Sequence, residues 1–112
     1  MSVKFEKETD EHGKTHITAL LSGEIDHHSA VEFRECIDSA VKTVKPNTLT
    51  LDFSGITFMD SSGVGLVMGR YKLMSFFGGA VILKNVAERE MRIFKLSGIE
   101  KIATFEERSK AV

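Results

Sequence analysis

The apolar residues of this chain change their spacing several times, from the two-residue alternation of strands to the three- and four-residue steps of helices. They alternate through 3–7 and 15–22, and they then recur at helical steps through 29–44. Each later helical stretch again lies between two strand-like stretches. This order, β-β-α-β-α-β-α-β, predicts an α/β fold in which helices pack on a mixed β-sheet with parallel crossovers.

Turn and cap residues give the element boundaries. The polar stretch 8–14 predicts a hairpin loop, and Ser29 followed by Glu32 has the spacing of a capping box at a helix start. The single proline ends that helix, and Ser54-Gly55 predicts a turn after the third strand. We predict strands at 3–7, 15–22, 48–53, 80–83 and 102–105, and helices at 29–44, at 61–77 and around Met91, Ile93, Phe94 and Leu96 up to Gly98.

Three further features carry structural expectations. Leu20 breaks the alternation of the second strand, which indicates a central strand buried on both faces. Cys36 falls in the apolar half of the first helix, and we expect a core thiol there. The tail 106–112 is short and polar, and we expect it to be disordered.

Length, charge and cysteine content narrow the function classes. The 112 residues fit one domain, 1–112, when a typical domain has ~150 residues. The 15 Lys and Arg against 16 Asp and Glu leave a net charge of −1, too little to hold a nucleic acid or an anionic membrane. The chain has one cysteine, begins with a charged alternating stretch, and has no apolar run near the ~20 residues that span a bilayer. We therefore expect a cytoplasmic monomer without a direct nucleic-acid or membrane partner.

The stretch 58–65, Phe-Met-Asp-Ser-Ser-Gly-Val-Gly, joins the end of a strand to the start of a helix. Ligands of open α/β sheets bind at such ends, and a helix N-terminus favours an anion. One of Asp60, Ser61 and Ser62 can simply cap the helix. A cap alone does not explain two adjacent serines beside Gly63 and Gly65, which leave the hydroxyls uncovered.

Other chemistries for these residues have weaker support. A serine hydrolase would need a base near Ser61, and only His27 or His28 lies at a comparable junction. Gly63, Gly65 and Gly69 do not match the spacing of a dinucleotide-binding loop, so we interpret Gly65 and Gly69 as residues that let the helix pack close to the sheet or to a partner. The adjacent His27 and His28 cannot easily ligate one ion, and we interpret them as exposed loop residues. Lys84, Arg89, Arg92 and Lys95 predict a solvated basic face. We expect no metal and no cofactor.

Four motifs together carry a family resemblance: 23–28 (Gly-Glu-Ile-Asp-His-His), 58–65, 69–71 (Gly-Arg-Tyr) and 96–99 (Leu-Ser-Gly-Ile). In order and spacing they resemble the anti-sigma factor antagonists of the STAS domain family, and within it the anti-sigma F antagonists of stage II sporulation. The resemblance runs from about residue 15 to 105. It implies a single STAS-type domain.

The resemblance also implies a function. Proteins of this kind bind an anti-sigma factor that is also a serine kinase, displace its sigma factor, and are inactivated when the kinase phosphorylates them. A serine phosphatase restores the active form. The family phosphoacceptor maps onto Ser61, and Ser62 becomes the cap or a supporting neighbour. The implied partner-binding residues are Asp60, Ser62, Gly63, Gly65, Gly69, Asp26, His27 and His28.

The resemblance leaves the partner open. Another regulatory STAS module, either a general stress sigma antagonist or a scaffold component, would differ only in what it binds. Ser29 stands where relatives often have threonine, a change that keeps the cap. The chain ends sooner than relatives that have a final helix. None of these proteins is an enzyme, so the expected function is regulation of transcription.

Overall fold

Strands and helices alternate in the predicted order. The structure, a computed structural model, describes residues 1–106. They form β1 (Ser2–Thr9), β2 (Thr15–Ile25), α1 (Ser29–Val44), β3 (Thr48–Met59), α2 (Ser62–Phe76), β4 (Ala80–Lys84), α3 (Glu88–Ser97) and β5 (Thr104–Glu106). A short 3-10 helix, Ile99–Lys101, precedes β5 and was not predicted. The mixed sheet with helical crossovers is confirmed.

The five strands lie in the sheet in chain order, β1-β2-β3-β4-β5. The β1–β2 hairpin is antiparallel, and every later pair is parallel. Because each parallel connection moves one strand in the same direction and such crossovers are right-handed, the three helices pack on the same face of the sheet. All β–α junctions from β2 onward therefore lie at one edge.

The core lies between this helical layer and one face of the sheet. Neighbouring strands place Ala19 beside Leu51 and Leu51 beside Leu83, and all three are fully buried. The helices contribute the same kind of side chain, and the Phe94 ring of α3 packs edge-on against Phe53 at 5.6 Å between centroids. On the opposite face Leu20 is only half-buried. β2 is therefore an interior strand, as predicted, but the prediction that it is buried on both faces is wrong.

β3 is longer than its predicted span of 48–53. The turn predicted at Ser54-Gly55 does not form, because β2 continues to pair alongside up to Ile25 and Met59. Gly55 lies at a shift in the β2–β3 register, where a Cβ would come within 2.6 Å of the Ser22 Oγ. This glycine therefore allows two backbones to approach closely rather than turning the chain. β3 thus carries the chain to Asp60.

Two other expectations have different outcomes. Cys36 is exposed, and the prediction of a core thiol is wrong. The buried residues of α1 are Phe33, Ile37 and Val41, a narrow stripe at four-residue steps that leaves Cys36 on its solvent side. The disordered tail was predicted for 106–112; Glu106 ends β5, and the remaining residues lie outside the described part of the chain.

Helices in the described part of the chain are also too short or too polar to cross a bilayer: none has the length and apolar character of a membrane span.

Candidate functional site

The carboxyl ends of β2 and β3 lie side by side. Ile25 and Met59 are paired across the two strands, and the Asp60 N–H donates to the Ile25 carbonyl at 3.1 Å. Each strand is followed at once by an aspartate and the start of a helix. The parallel pairing therefore brings the two motifs 23–28 and 58–65 together at one edge of the sheet.

Asp26 caps the start of α1. Its Oδ1 accepts the backbone N–H groups of His28 and Ser29, both at 2.9 Å, and the Asp26 N–H donates to the Ser29 Oγ at 3.0 Å. This is a reciprocal capping box three residues upstream of the predicted one, so the pairing of Ser29 with Glu32 was wrong. The backbone N–H of Ser29 also lowers the pKa of Asp26.

Asp60 does the same for α2. Its Oδ1 accepts the Ser62 backbone N–H at 2.8 Å, and its carbonyl accepts the Gly63 N–H at 3.1 Å. In the described part of the chain, the N-cap residue Ser61 makes no side-chain capping hydrogen bond. The cap expected among these three residues is therefore Asp60, and Ser62 is not the cap.

The Ser61 hydroxyl is consequently free. Ser61 is exposed at the N-cap position of α2, and its side chain makes no hydrogen bond within residues 1–106. Ser62 is half-buried and points into the space between α1 and α2. The positive end of the α2 dipole lies at the Ser61 position.

The three glycines of α2 have different environments. Gly63 is buried, and a Cβ there would lie 2.3 Å from the Met59 Sδ, so it permits close packing of α2 on β3. Gly65 is exposed and Gly69 half-buried, and a Cβ at either would meet open space. Packing within the domain therefore explains Gly63 but not Gly65 or Gly69, so of the two interpretations of Gly65 and Gly69, close packing on the sheet is wrong and close approach of a partner stays a prediction.

Two grooves run along α2. The groove between α1 and α2 has a volume of about 300 Å³ and includes His27, Arg34, Ser62, Gly65 and Arg70 in its lining. The groove between α2 and α3 has a volume of about 430 Å³ and is lined by Ser61, Val64, Gly65, Ile93, Leu96 and Ser97. The structure thus brings His27 to the same groove as Ser62.

His28 is exposed and lines neither of these grooves, and its ring lies 4.0 Å from that of His27 between centroids. Within the described residues no hydrogen bond joins a histidine to Ser61 or Ser62. Over the same residues, no three His, Cys, Asp or Glu side chains converge as a metal site would require. The geometry offers an accessible hydroxyl on a helix end rather than an activated nucleophile.

Two contacts of arginine side chains near the site, one ion pair and one hydrogen bond, were not predicted. The Arg70 Nε lies 2.7 Å from the Asp38 Oδ1, an ion pair that ties α2 to α1, and burial lowers the pKa of Arg70. The Arg89 Nη2 donates to the Thr57 carbonyl at 2.7 Å, so Arg89 links α3 to the end of β3 instead of facing only solvent. Neither contact has a sequence signal, because each joins residues 32 positions apart.

Comparison with known proteins gives concordant results. The model of the STAS domain matches residues 7–111. An anti-sigma F factor antagonist of Paenibacillus polymyxa is 36% identical over 92 residues, which are 82% of this chain and 79% of that protein. An anti-sigma-B factor antagonist of Bacillus subtilis is 30% identical over 94 residues, 84% of each chain.

The solved structures agree. The anti-sigma factor antagonist SpoIIAA in its unphosphorylated form superposes with a TM-score of 0.76 at 31% identity, covering 95% of this chain and 89% of that one. The Bacillus cell fate determinant SpoIIAA in its phosphorylated form superposes with a TM-score of 0.69 at 31% identity, covering 95% of this chain and 92% of that one. With its sheet order, its helix layer and the paired strand ends that carry both motifs, this chain belongs to the STAS domain family.

Proposed function

We propose that this protein is an anti-sigma factor antagonist. In its unphosphorylated form it binds an anti-sigma factor with serine-kinase activity and so releases a sigma factor. Phosphorylation of Ser61 by that kinase inactivates it, and a serine phosphatase restores it. The observation that carries the proposal is the exposed Ser61 hydroxyl, left free because Asp60 caps α2. The names of the similar antagonists support the same function.

The position of Ser61 suits a surface switch. A phosphate adds about −1.5 to −2 charges, and a helix N-terminus stabilises such charge by roughly 0.3–1 kcal/mol, so the modified domain stays folded. A partner carboxylate about 4 Å from one such charge would be repelled by ~4 kcal/mol at an effective dielectric constant of 20. That repulsion corresponds to roughly a thousandfold loss of affinity.

The proposed partner-binding surface surrounds Ser61. Asp60, Ser62, Gly65 and Gly69 belong to α2 or its start, and Asp26, His27 and His28 belong to the adjacent start of α1. The buried Gly63 supports this surface from below, since it lets α2 sit close to Met59. The protein works as a monomeric single domain of residues 1–112, in the cytoplasm, where sigma factors act.

The direct test is phosphorylation by the host's anti-sigma kinase. Wild type, Ser61→Ala, Ser62→Ala and Ser39→Ala are incubated with ATP and the kinase, and intact mass and peptide mapping are recorded. Ser39 is an exposed helical serine away from the site and serves as the control. We expect one phosphate on every variant except Ser61→Ala. Phosphate on another residue, or none on wild type, would overturn the role of Ser61 and favour a scaffold function.

A second candidate is a general stress antagonist, which the similarity to the anti-sigma-B factor antagonist of Bacillus subtilis favours. It uses the same site and differs in its partner. Binding measured against each anti-sigma factor of the host separates the two. A hydrolase function is tested by ester turnover, which should show no dependence on Ser61.

A further inference from the structure

The two grooves beside α2 meet at Gly65, which lines both of them. A Cβ on Gly65 would meet nothing within 4 Å, so the helix backbone is bare at this point. A chain crossing α2 here can therefore lie close to the helix and reach both grooves. Gly65 forms a saddle between two surfaces of different chemistry.

The groove on the α3 side is apolar. Val64, Ile93 and Leu96 contribute its hydrophobic side chains, and Leu96 is 91% exposed. It is the most exposed of the large apolar side chains in residues 1–106. A leucine this exposed contributes little to the core, and covering it with an apolar side chain is favourable by about 25 cal/mol per Å² removed from water. This groove suits an apolar side chain.

The groove on the α1 side is cationic. Arg34 and Arg70 both line it, and Arg70 is 5% exposed and paired with Asp38. No carboxylate of the described residues lies within 4.0 Å of the Arg34 guanidinium. At the adjoining strand ends, Asp26 and Asp60 already accept backbone N–H groups. The charge of Arg34 is thus available to an incoming carboxylate.

We propose that the grooves and Gly65 form one bipartite docking site for a single segment of the anti-sigma factor. The segment crosses α2 at Gly65, places an apolar side chain against Ile93 and Leu96, and places an Asp or Glu beside Arg34. This inference rests on the proposed function and deepens it by naming the chemistry of the partner. The partner segment must carry both an apolar side chain and an acidic one, and this double requirement gives the site its selectivity.

The site explains how a modification of Ser61 acts. Ser61 lines the apolar groove, so a phosphate there puts charge and bound water where the apolar side chain must be desolvated. The same phosphate repels the acidic side chain of the segment. Both effects release the partner without any change of fold.

The test is calorimetric titration of the purified anti-sigma factor of the same host into variants of this protein. Leu96→Asp and Arg34→Glu should each weaken binding by about tenfold or more. Leu96→Met and Arg34→Lys should bind like wild type, since they keep the apolar surface and the charge. The matched controls are Phe76→Asp, at an 84% exposed apolar residue near the end of α2, and Lys42→Glu, in the last turn of α1.

The outcomes separate the inference from the proposed function. If wild type binds and both Leu96→Asp and Arg34→Glu bind equally well, the docking site is overturned while the proposed function stands. If wild type does not bind any anti-sigma factor of the host, the proposed function fails and the inference with it. If wild type self-associates through Leu96 and Leu96→Asp still binds the anti-sigma factor, the apolar groove binds a second copy of this chain and the inference is wrong.

Discussion

At the scale of single residues, Asp26 and Asp60 play equivalent parts at the ends of neighbouring strands. Each uses one carboxylate oxygen to accept backbone N–H groups of the helix that follows. These N–H groups would otherwise lack partners within the helix. Because Asp60 supplies this acceptor for α2, the helix does not need the hydroxyl of Ser61 as a cap.

Substitutions of Asp60 separate its capping role from its proposed partner contact. Asp60→Ala should lower the free energy of unfolding by about 0.5–2 kcal/mol, whereas Asp60→Asn keeps an acceptor and should cost much less. Urea denaturation measures both. An alanine variant as stable as wild type would contradict the capping role. Loss of anti-sigma binding in an asparagine variant that is nearly as stable as wild type would show that the charge contacts the partner.

Asp10 makes stability depend on pH at the opposite end of the sheet. Its Oδ2 lies 2.8 Å from the His16 Nε2, and the His16 Nδ1 lies 2.7 Å from the Thr48 Oγ1. The hydrogen bond from His16 is the main cause that lowers the pKa of Asp10 from 3.8. Because the pKa of Asp10 is lower in the folded state, its ionised carboxylate stabilises the fold fully at pH values above 3.8. This stabilisation is lost as the pH falls through the folded-state pKa of Asp10.

We therefore expect wild type to lose stability below about pH 4 more steeply than Asp10→Asn. Denaturant midpoints between neutral and acidic pH measure the difference. Glu11→Gln, at the neighbouring and largely exposed carboxylate, is the control and should follow wild type. Equal acid sensitivity of wild type and Asp10→Asn would show that the contact with His16 is not formed in solution.

At the scale of elements, the first turns of α2 combine a packing requirement and a binding requirement. Gly63 faces Met59 and is buried, while Gly65, two residues later, faces the opposite way into open space. A helix gains stability when an exposed glycine is replaced by alanine, because the unfolded chain then has fewer conformations to lose. Retaining glycine at position 65 therefore needs a reason other than folding.

Alanine substitutions distinguish the two glycines. Gly65→Ala should raise the free energy of unfolding by about 0.5–1 kcal/mol and weaken anti-sigma binding, since the methyl group fills the saddle. Gly63→Ala should instead destabilise the domain by roughly 1–3 kcal/mol, because its Cβ overlaps Met59. Urea denaturation and calorimetry measure both effects. A Gly65→Ala variant that binds as tightly as wild type would remove the need for a bare backbone at this position.

At the scale of the whole molecule, the fold should be insensitive to the state of Ser61. The site lies on the surface at one edge of the sheet, whereas the core lies between the sheet and the helices. Ser61→Asp should therefore shift the melting temperature by less than about 4 °C while abolishing partner binding. Calorimetry and titration on the same sample check this, with Ser61→Ala as the uncharged control. An unfolded Ser61→Asp variant would contradict a surface switch.

The sheet edges bear on the oligomeric state. β1 is an edge strand of eight residues, and it carries Lys4, Glu6, Lys7 and Glu8. Charged side chains on an edge strand oppose pairing with another copy, because pairing would desolvate them. We expect a monomer in sedimentation velocity across the micromolar range. A dimer that persists at high salt would contradict this.

Much of the fold could be predicted from local patterns. The span of α1 follows from its apolar steps, and the hairpin follows from its polar loop. The prediction of a turn at Ser54-Gly55 was wrong, because pairing with the parallel strand β2 keeps β3 extended through this glycine. The prediction that Cys36 is a core thiol was wrong, because the width of the buried stripe on a helix depends on what packs against it. The stretch 58–65 was singled out by its paired serines, its glycines and its position after a strand, whereas only the family resemblance assigned the phosphoacceptor role to Ser61, which stays a prediction.

By itself the sequence determined the order of the elements, the single-domain size and the junction that carries Ser61, because these depend on residues close together in the chain. Only the tertiary structure decided that Asp60 and not a serine caps α2, that Gly65 faces two grooves, and that Arg70 is held by Asp38 while Arg34 has no carboxylate within 4.0 Å among residues 1–106. The reason is physical. Such features depend on backbone direction and on contacts between residues far apart in the chain, which local spacing does not encode.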